Sequence, residues 1–111
     1  MTINWLDDFA YLWGGAFLVN AAPHLISGLM GRPFQSPFAK PPGQGLSSST
    51  INVLWGGFNL AVAYALLVWV GTFDLRSLPD VGAAALGGLL IGLLAARQFG
   101  RFNGGNTPTR G

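Results

Sequence analysis

The sequence predicts an all-α fold, a small polytopic membrane protein with three transmembrane helices, and three observations carry that prediction. Half of the 111 residues are apolar, and only six basic and four acidic residues accompany them, against the roughly 25% charged residues of a soluble domain. The apolar residues fall in three blocks, at about 9–30, 51–73 and 81–99, each near the ~20 residues a helix needs to cross a bilayer. No Asp or Glu interrupts any block. A soluble chain this short has nothing polar with which to wrap three such helices.

The leader Met-Thr-Ile-Asn-Trp-Leu-Asp-Asp carries two acids and no Lys or Arg, the opposite of a signal peptide's charged start, so the first block is expected to be a retained span. Trp5, Tyr11 and Trp13 flank one end of it, and Trp69 and Phe73 the matching end of the second span, where amphipathic rings favour a headgroup boundary. Arg32, Lys40, Arg97, Arg101 and Arg110 collect on one side of a three-span chain, and Arg76 stands alone on the other. The positive-inside rule then puts the N-terminus in the periplasm and the C-terminus in the cytoplasm.

The connection at 31–50 holds four prolines, three glycines, Phe34 and Phe38. Four fixed φ angles and four missing donors make it a stiff, long Pro/Gly-rich loop with no regular helix or strand, and its phenylalanines give it something to bury. It is expected to lie on the inner membrane face. The serines at 47–49 offer side-chain oxygens to the free amides opening span two. The second connection is short, so spans two and three are expected to be antiparallel neighbours, with Pro79 and Asp80 supplying a break and an N-cap before Val81. One transmembrane domain, 1–102, is followed by a tail at 103–111 with nothing to bury and an expectation of disorder.

On a helical wheel Trp13, Phe17, Asn20, His24, Ser27, Gly28 and Gly31 share one face of span one, and Asn52, Trp55, Gly56, Asn59 and Ala63 one face of span two. Measured from the helix ends, His24 and Asn59 fall at nearly the same depth, about 9 and 12 Å, with Asn20 at about 15 Å. A hydrogen-bonded cluster of Asn20, His24 and Asn59 is therefore expected, Gly56 leaving room for the imidazole, because lipid offers these groups no partner. Pro23 frees the carbonyl of Val19 and is expected to kink the helix. Gly28 and Gly56 in the first two spans, and Ala84, Gly88 and Gly92 in the third, mark close helix–helix approach. The third-span stripe suits either span one or a second copy. The echo Leu12-Trp-Gly-Gly15 and Leu54-Trp-Gly-Gly57 is too short to define a repeat.

Without cysteine the chain has no disulfide, thiolate metal site or thiol nucleophile. Its single histidine lacks companions for a metal or haem site, so no cofactor and no metal ligand set is expected. No membrane-embedded carboxylate serves proton-coupled transport, and no paired acid or nucleophile accompanies His24, which argues against an enzyme and leaves no catalytic residue to name. Gly43-Gln-Gly45 completes no nucleotide-binding pattern. Arg32 and Lys40 lie where lipid headgroups are available for contact.

At Phe34-Gln-Ser-Pro-Phe-Ala39, Pro41-Pro-Gly43, Gly45, Ser48-Ser49 and Asn52-Val-Leu-Trp-Gly56, with Asn20 and Pro23-His24 before them, the sequence resembles small uncharacterised bacterial integral membrane proteins. That resemblance implies a bacterial inner membrane and brings no activity with it. The expected function is a small, non-enzymatic inner-membrane scaffold or accessory subunit that assembles as a homo-oligomer or within a larger membrane complex. The lipid bilayer is its surroundings, and no nucleic acid partner is expected. The competing expectation is a binding or permeation protein whose polar pocket around His24 takes a small molecule, a lipid group or a proton.

Overall fold

Asn4 opens the first helix, its side-chain oxygen accepting the amide of Asp7 at 3.4 Å, while Asp7 and Asp8 complement the positive end of the helix dipole. These caps start α1 at Trp5, four residues before the apolar block begins. The helix α1 (Trp5–Leu29) then runs as one element through Pro23. Gly31, at φ +73°, turns the chain out of the helix in the left-handed conformation that glycine adopts without strain. The computed structural model describes residues 4–109, so Met1, Thr2, Ile3, Arg110 and Gly111 lie outside the described residues.

The connection that follows contains a short antiparallel ladder where no strand is expected. In it β1 (Phe34–Gln35) pairs with β2 (Leu46–Ser47), with Phe34 opposite Ser47 and Gln35 opposite Leu46. Prolines 33, 37, 41 and 42 flank the paired residues without occupying them, so no ladder donor is lost. Ser36 closes the turn: its carbonyl accepts the amide of Gly43 at 2.8 Å, and its hydroxyl accepts the amide of Phe38 at 3.1 Å.

Ser48 caps α2 (Ser49–Tyr64) by accepting the amide of Ile51 at 3.2 Å. A six-residue π-helical segment, Ala65–Val70, continues it. Gly71 follows against the ring of Tyr11, too close for any Cβ. The Tyr11 hydroxyl accepts the amide of Thr72 at 2.9 Å, fastening the end of span two to α1. Tyr11 is therefore buried, unlike Trp5, Trp13 and Trp69, which are exposed.

The third helix, α3 (Leu78–Asn103), is longer at both ends than its apolar block. Its N-cap is Ser77, accepting the amide of Asp80 at 3.3 Å, which corrects the expectation for Asp80. Pro79 sits in the first turn, where its missing amide costs nothing. The Asp80 carboxylate instead accepts the amide of Asp74 at 3.0 Å. Gly104, at φ +82°, ends the helix. Beyond it Asn106 folds back, donating to the carbonyl of Arg97 at 2.8 Å. The tail at 103–111 thus has its first residue within α3 and a bond from Asn106 back to the helix, and its last two residues lie outside the described residues.

Among the described residues, three helices are each long and apolar enough to cross a membrane: Trp5–Leu29, Ser49–Val70 and Leu78–Asn103. Their packing corrects one expectation: α1 lies along both α2 and α3, which scarcely touch one another. The glycines explain why. Gly15 rests on the carbonyl of Ala84 and Gly87 on the carbonyl of Leu12, so the backbones of α1 and α3 meet where a Cβ has no room. Gly88 receives Val19. The small-residue stripe of α3 at Ala84 and Gly88 is thus filled by α1, and Gly92 makes only ordinary contact with Val19. On the other side Gly28 meets Ser49 and Val53, and Gly14 meets Leu67.

The buried apolar residues are Ala10, Tyr11, Ala21 and Ala63, and the largest fully buried side chains are His24, Asn52 and Asn59. Large apolar side chains such as Leu18, Ile26, Leu54, Phe58, Leu90 and Leu94 face outward. Small and polar inside with large and apolar outside suits helices that associate by close approach and hydrogen bonds within lipid.

Candidate functional site: a polar seam

The seam begins with backbone carbonyls. The Asn52 side-chain amide donates to the carbonyls of Phe34 at 3.2 Å, Ser47 at 3.1 Å and Ser48 at 3.0 Å. With two hydrogens for three acceptors, one bond is shared. This binding fixes the other edge of the group, so Oδ1 of Asn52 turns towards α1, where Nδ1 of His24 lies 2.8 Å away. Since that oxygen only accepts, the network assigns the proton to Nδ1 of His24, and the histidine donates.

Aromatic rings close around the imidazole. Phe34, Trp55 and Phe99 present edge-to-face geometry to it, with centroids at 5.5, 6.3 and 6.1 Å. Phe34 and Phe99 also contact each other at 4.7 Å. His24 is only 2% exposed, and it is the residue at which α1, β1, α2 and α3 come together.

A second pair lies farther along the same interface. Asn20 donates from Nδ2 to Oδ1 of Asn59 at 3.0 Å, and Asn59 donates to the carbonyl of Trp55 at 2.8 Å. The expected cluster of Asn20, His24 and Asn59 is therefore two pairs, and the partner of His24 is Asn52. Depth arithmetic treats the helices as parallel rods and leaves out the hairpin. The hairpin's carbonyls orient Asn52 towards His24, while Asn59 already spends both ends of its amide on Asn20 and Trp55. Gly56 is likewise reassigned, because it admits Leu25 and the α1 backbone in place of the imidazole. Pro23 precedes His24 within the unbroken helix.

Several members of the site take their roles only from the folded chain. Asn52 was visible on the polar face of span two, but only the fold-back of the connection gives it three acceptors. Phe34 and Phe99 come from segments that sequence separation keeps apart. Gln35 is 4% exposed and accepts from Asn103 at 3.2 Å, tying the hairpin to α3. Ser36 and Ser47 join hydroxyls across the ladder. Arg32 and Lys40 are exposed on the connection, outside this network.

Among the described residues, every buried side-chain nitrogen and oxygen has a hydrogen-bond partner, and no three His, Cys, Asp or Glu side chains gather. Beside the Asn20–Asn59 pair opens a cleft of ≈ 130 Å³, lined by Trp13, Ala16, Phe17, Asn20, Asn59 and Ile91 from all three helices. Comparison with protein-family models, curated proteins and solved structures gives no match. The class therefore rests on fold and seam: a helical protein with three helices suited to crossing a membrane.

Proposed function

We propose that the chain is a small, non-enzymatic inner-membrane scaffold or accessory subunit, built to assemble with itself or within a larger membrane complex. The observation that carries this reading is that His24, Asn52 and Asn59 each bind a protein group along the seam. Groups suited to chemistry or proton movement are used as ties between elements. The outward faces support the same reading. In their apolar windows α1 is 39% buried, the second span 17% and α3 11%, so two helices leave most of their surface for lipid or a partner.

The bacterial inner membrane follows from the sequence resemblance, and the orientation from charge. Arg32, Lys40, Arg97 and Arg101 share the hairpin end, against Arg76 at the other, so the hairpin end is cytoplasmic. There Arg32 and Lys40 contact lipid headgroups. A reporter enzyme fused after Gly111 is active on the cytoplasmic side; periplasmic activity reverses the orientation. The assembly reading is tested by native mass spectrometry of the full chain extracted from its own membrane. More than one copy, or a second chain in fixed ratio, is expected. A single copy with no fixed companion across several mild detergents contradicts it.

One observation favours a second reading, a small-molecule binding protein. The imidazole itself is closed off by aromatic rings, but Asn20 is half-buried at the mouth of the ≈ 130 Å³ cleft, comparable in size to cavities that admit a benzene-sized guest. In this reading an apolar molecule with one hydrogen-bonding group binds at Asn20. A co-purifying small molecule that disappears in Asn20→Leu, with assembly unchanged, supports it over the scaffold.

A further inference from the structure

The hairpin end of α3 carries a second feature that the seam does not use. Leu94, Arg97, Gln98 and Arg101 follow one another at helical spacing on one face and line an open surface depression of ≈ 400 Å³. Both arginines are exposed, one turn apart, about 6 Å along the helix. Among the described residues neither has a carboxylate side chain at its end of the helix, since Asp7 and Asp8 open α1, Asp80 opens α3, and Asp74 lies in the connection before it. All four acids of the chain are thus at the far end. Two guanidinium forks without a carboxylate, beside an amide, form a donor set matched to phosphate oxygens.

The apolar side of the depression has a continuation. Leu94 is a wall of a second cleft, ≈ 160 Å³, which runs between α1 and α3 along Leu12, Trp13, Gly87, Leu90 and Ile91. Leu86 and Leu90, both about half exposed at 52% and 50%, extend this track away from the arginines. From Arg97 to Leu86 is about 16 Å of helix, which matches half of a ~30 Å hydrocarbon core. The charged patch thus adjoins, through Leu94, an apolar cleft that runs along α3 as far as Gly87, about 10 Å of helix.

We propose that this face of α3 is a binding site for an anionic phospholipid. Arg97 and Arg101 donate to the phosphate oxygens, Gln98 bonds the polar headgroup or ester, and one acyl chain lies in the groove past Leu94 and Leu90. The site rests on the membrane-embedded reading above and is separate from Arg32 and Lys40. It gives the subunit a preference for anionic membrane.

The test uses the full chain in nanodiscs of mixed phosphatidylglycerol and phosphatidylcholine with identical acyl chains, with the retained lipid read by native mass spectrometry. The wild type is expected to keep phosphatidylglycerol preferentially. Arg97→Gln and Arg101→Gln are each expected to weaken that preference about fivefold, from the worth of one basic side chain near an anionic surface. Arg76→Gln, a basic residue at the other end of the bundle, leaves it in place. Folding survives in Arg97→Gln because Asn106 bonds the backbone carbonyl at that position, and an unchanged melting temperature checks this. Equal retention of both lipids by the wild type, or an undiminished preference in the arginine variants, overturns the site. So does an equal loss in Arg76→Gln, which makes the preference general surface charge. Displacement of the lipid by millimolar inorganic phosphate also overturns it, because the site then takes the free ion. Vesicle flotation separates the two readings: a chain that floats without lipid preference contradicts the site alone, and one that does not float contradicts the membrane reading as well.

Discussion

Nδ1 of His24 and Oδ1 of Asn52 lie 2.8 Å apart in a site closed by three aromatic rings. Because the Asn52 amide is held by three backbone carbonyls, the histidine is confined to one tautomer. The chain has no other histidine, so a single imidazole spectrum reports this directly. Solid-state nitrogen NMR of the chain labelled at histidine and reconstituted in lipid at neutral pH is expected to show a protonated Nδ1 and an unprotonated Nε2. Protonation at Nε2 alone would mean that Asn52 has turned its amide to the ring.

The contact between α1 and α3 depends on two backbones touching. Gly87→Ala drives a Cβ into the carbonyl of Leu12, whereas Gly57→Ala points into open space. The first substitution is expected to cost about 1–3 kcal/mol. The second is expected to be neutral or to stabilise by up to about 1 kcal/mol through helix propensity. Thermal unfolding in one detergent distinguishes them, and similar melting temperatures for the two variants would rule out the close approach.

At the opposite end from the hairpin, Tyr11 holds the chain as it leaves the π-helical segment. Tyr11→Phe keeps the ring against Gly71 and Phe73 but removes the acceptor for the Thr72 amide. A loss of about 1 kcal/mol is expected. Hydrogen exchange should rise at Thr72 and its neighbours while the hairpin end keeps its protection. Uniform exchange across the chain would place the anchor elsewhere.

Much of this architecture was legible in the sequence, because a bilayer constrains composition more tightly than water does. Three apolar blocks gave three helices, and the polar faces of the first two spans held Asn20, His24, Asn52 and Asn59. Pairing was not legible. It depends on how helices cross and on a connection that folds back, and neither leaves a periodic signal. The prolines of the connection argued against strands, yet they bracket a ladder of two residues on each side. Gly87 lies one residue off the stripe of small residues at Ala84, Gly88 and Gly92, so the four-residue spacing does not mark it. Helix ends moved outward because the capping residues Asn4 and Ser77 lie beyond the apolar blocks that marked the spans.

The central claim is that the seam ties the elements together, and a double-mutant cycle on His24 and Asn52 tests it most directly. His24→Leu, Asn52→Leu and the double variant are unfolded in one detergent, with stability read against the wild type. Each single change leaves a polar group buried without its partner, at a cost of about 1–3 kcal/mol. The double variant is expected to lose less than the sum, with a coupling of about 1–2 kcal/mol. Additive losses, with no coupling between the two positions, would contradict the account.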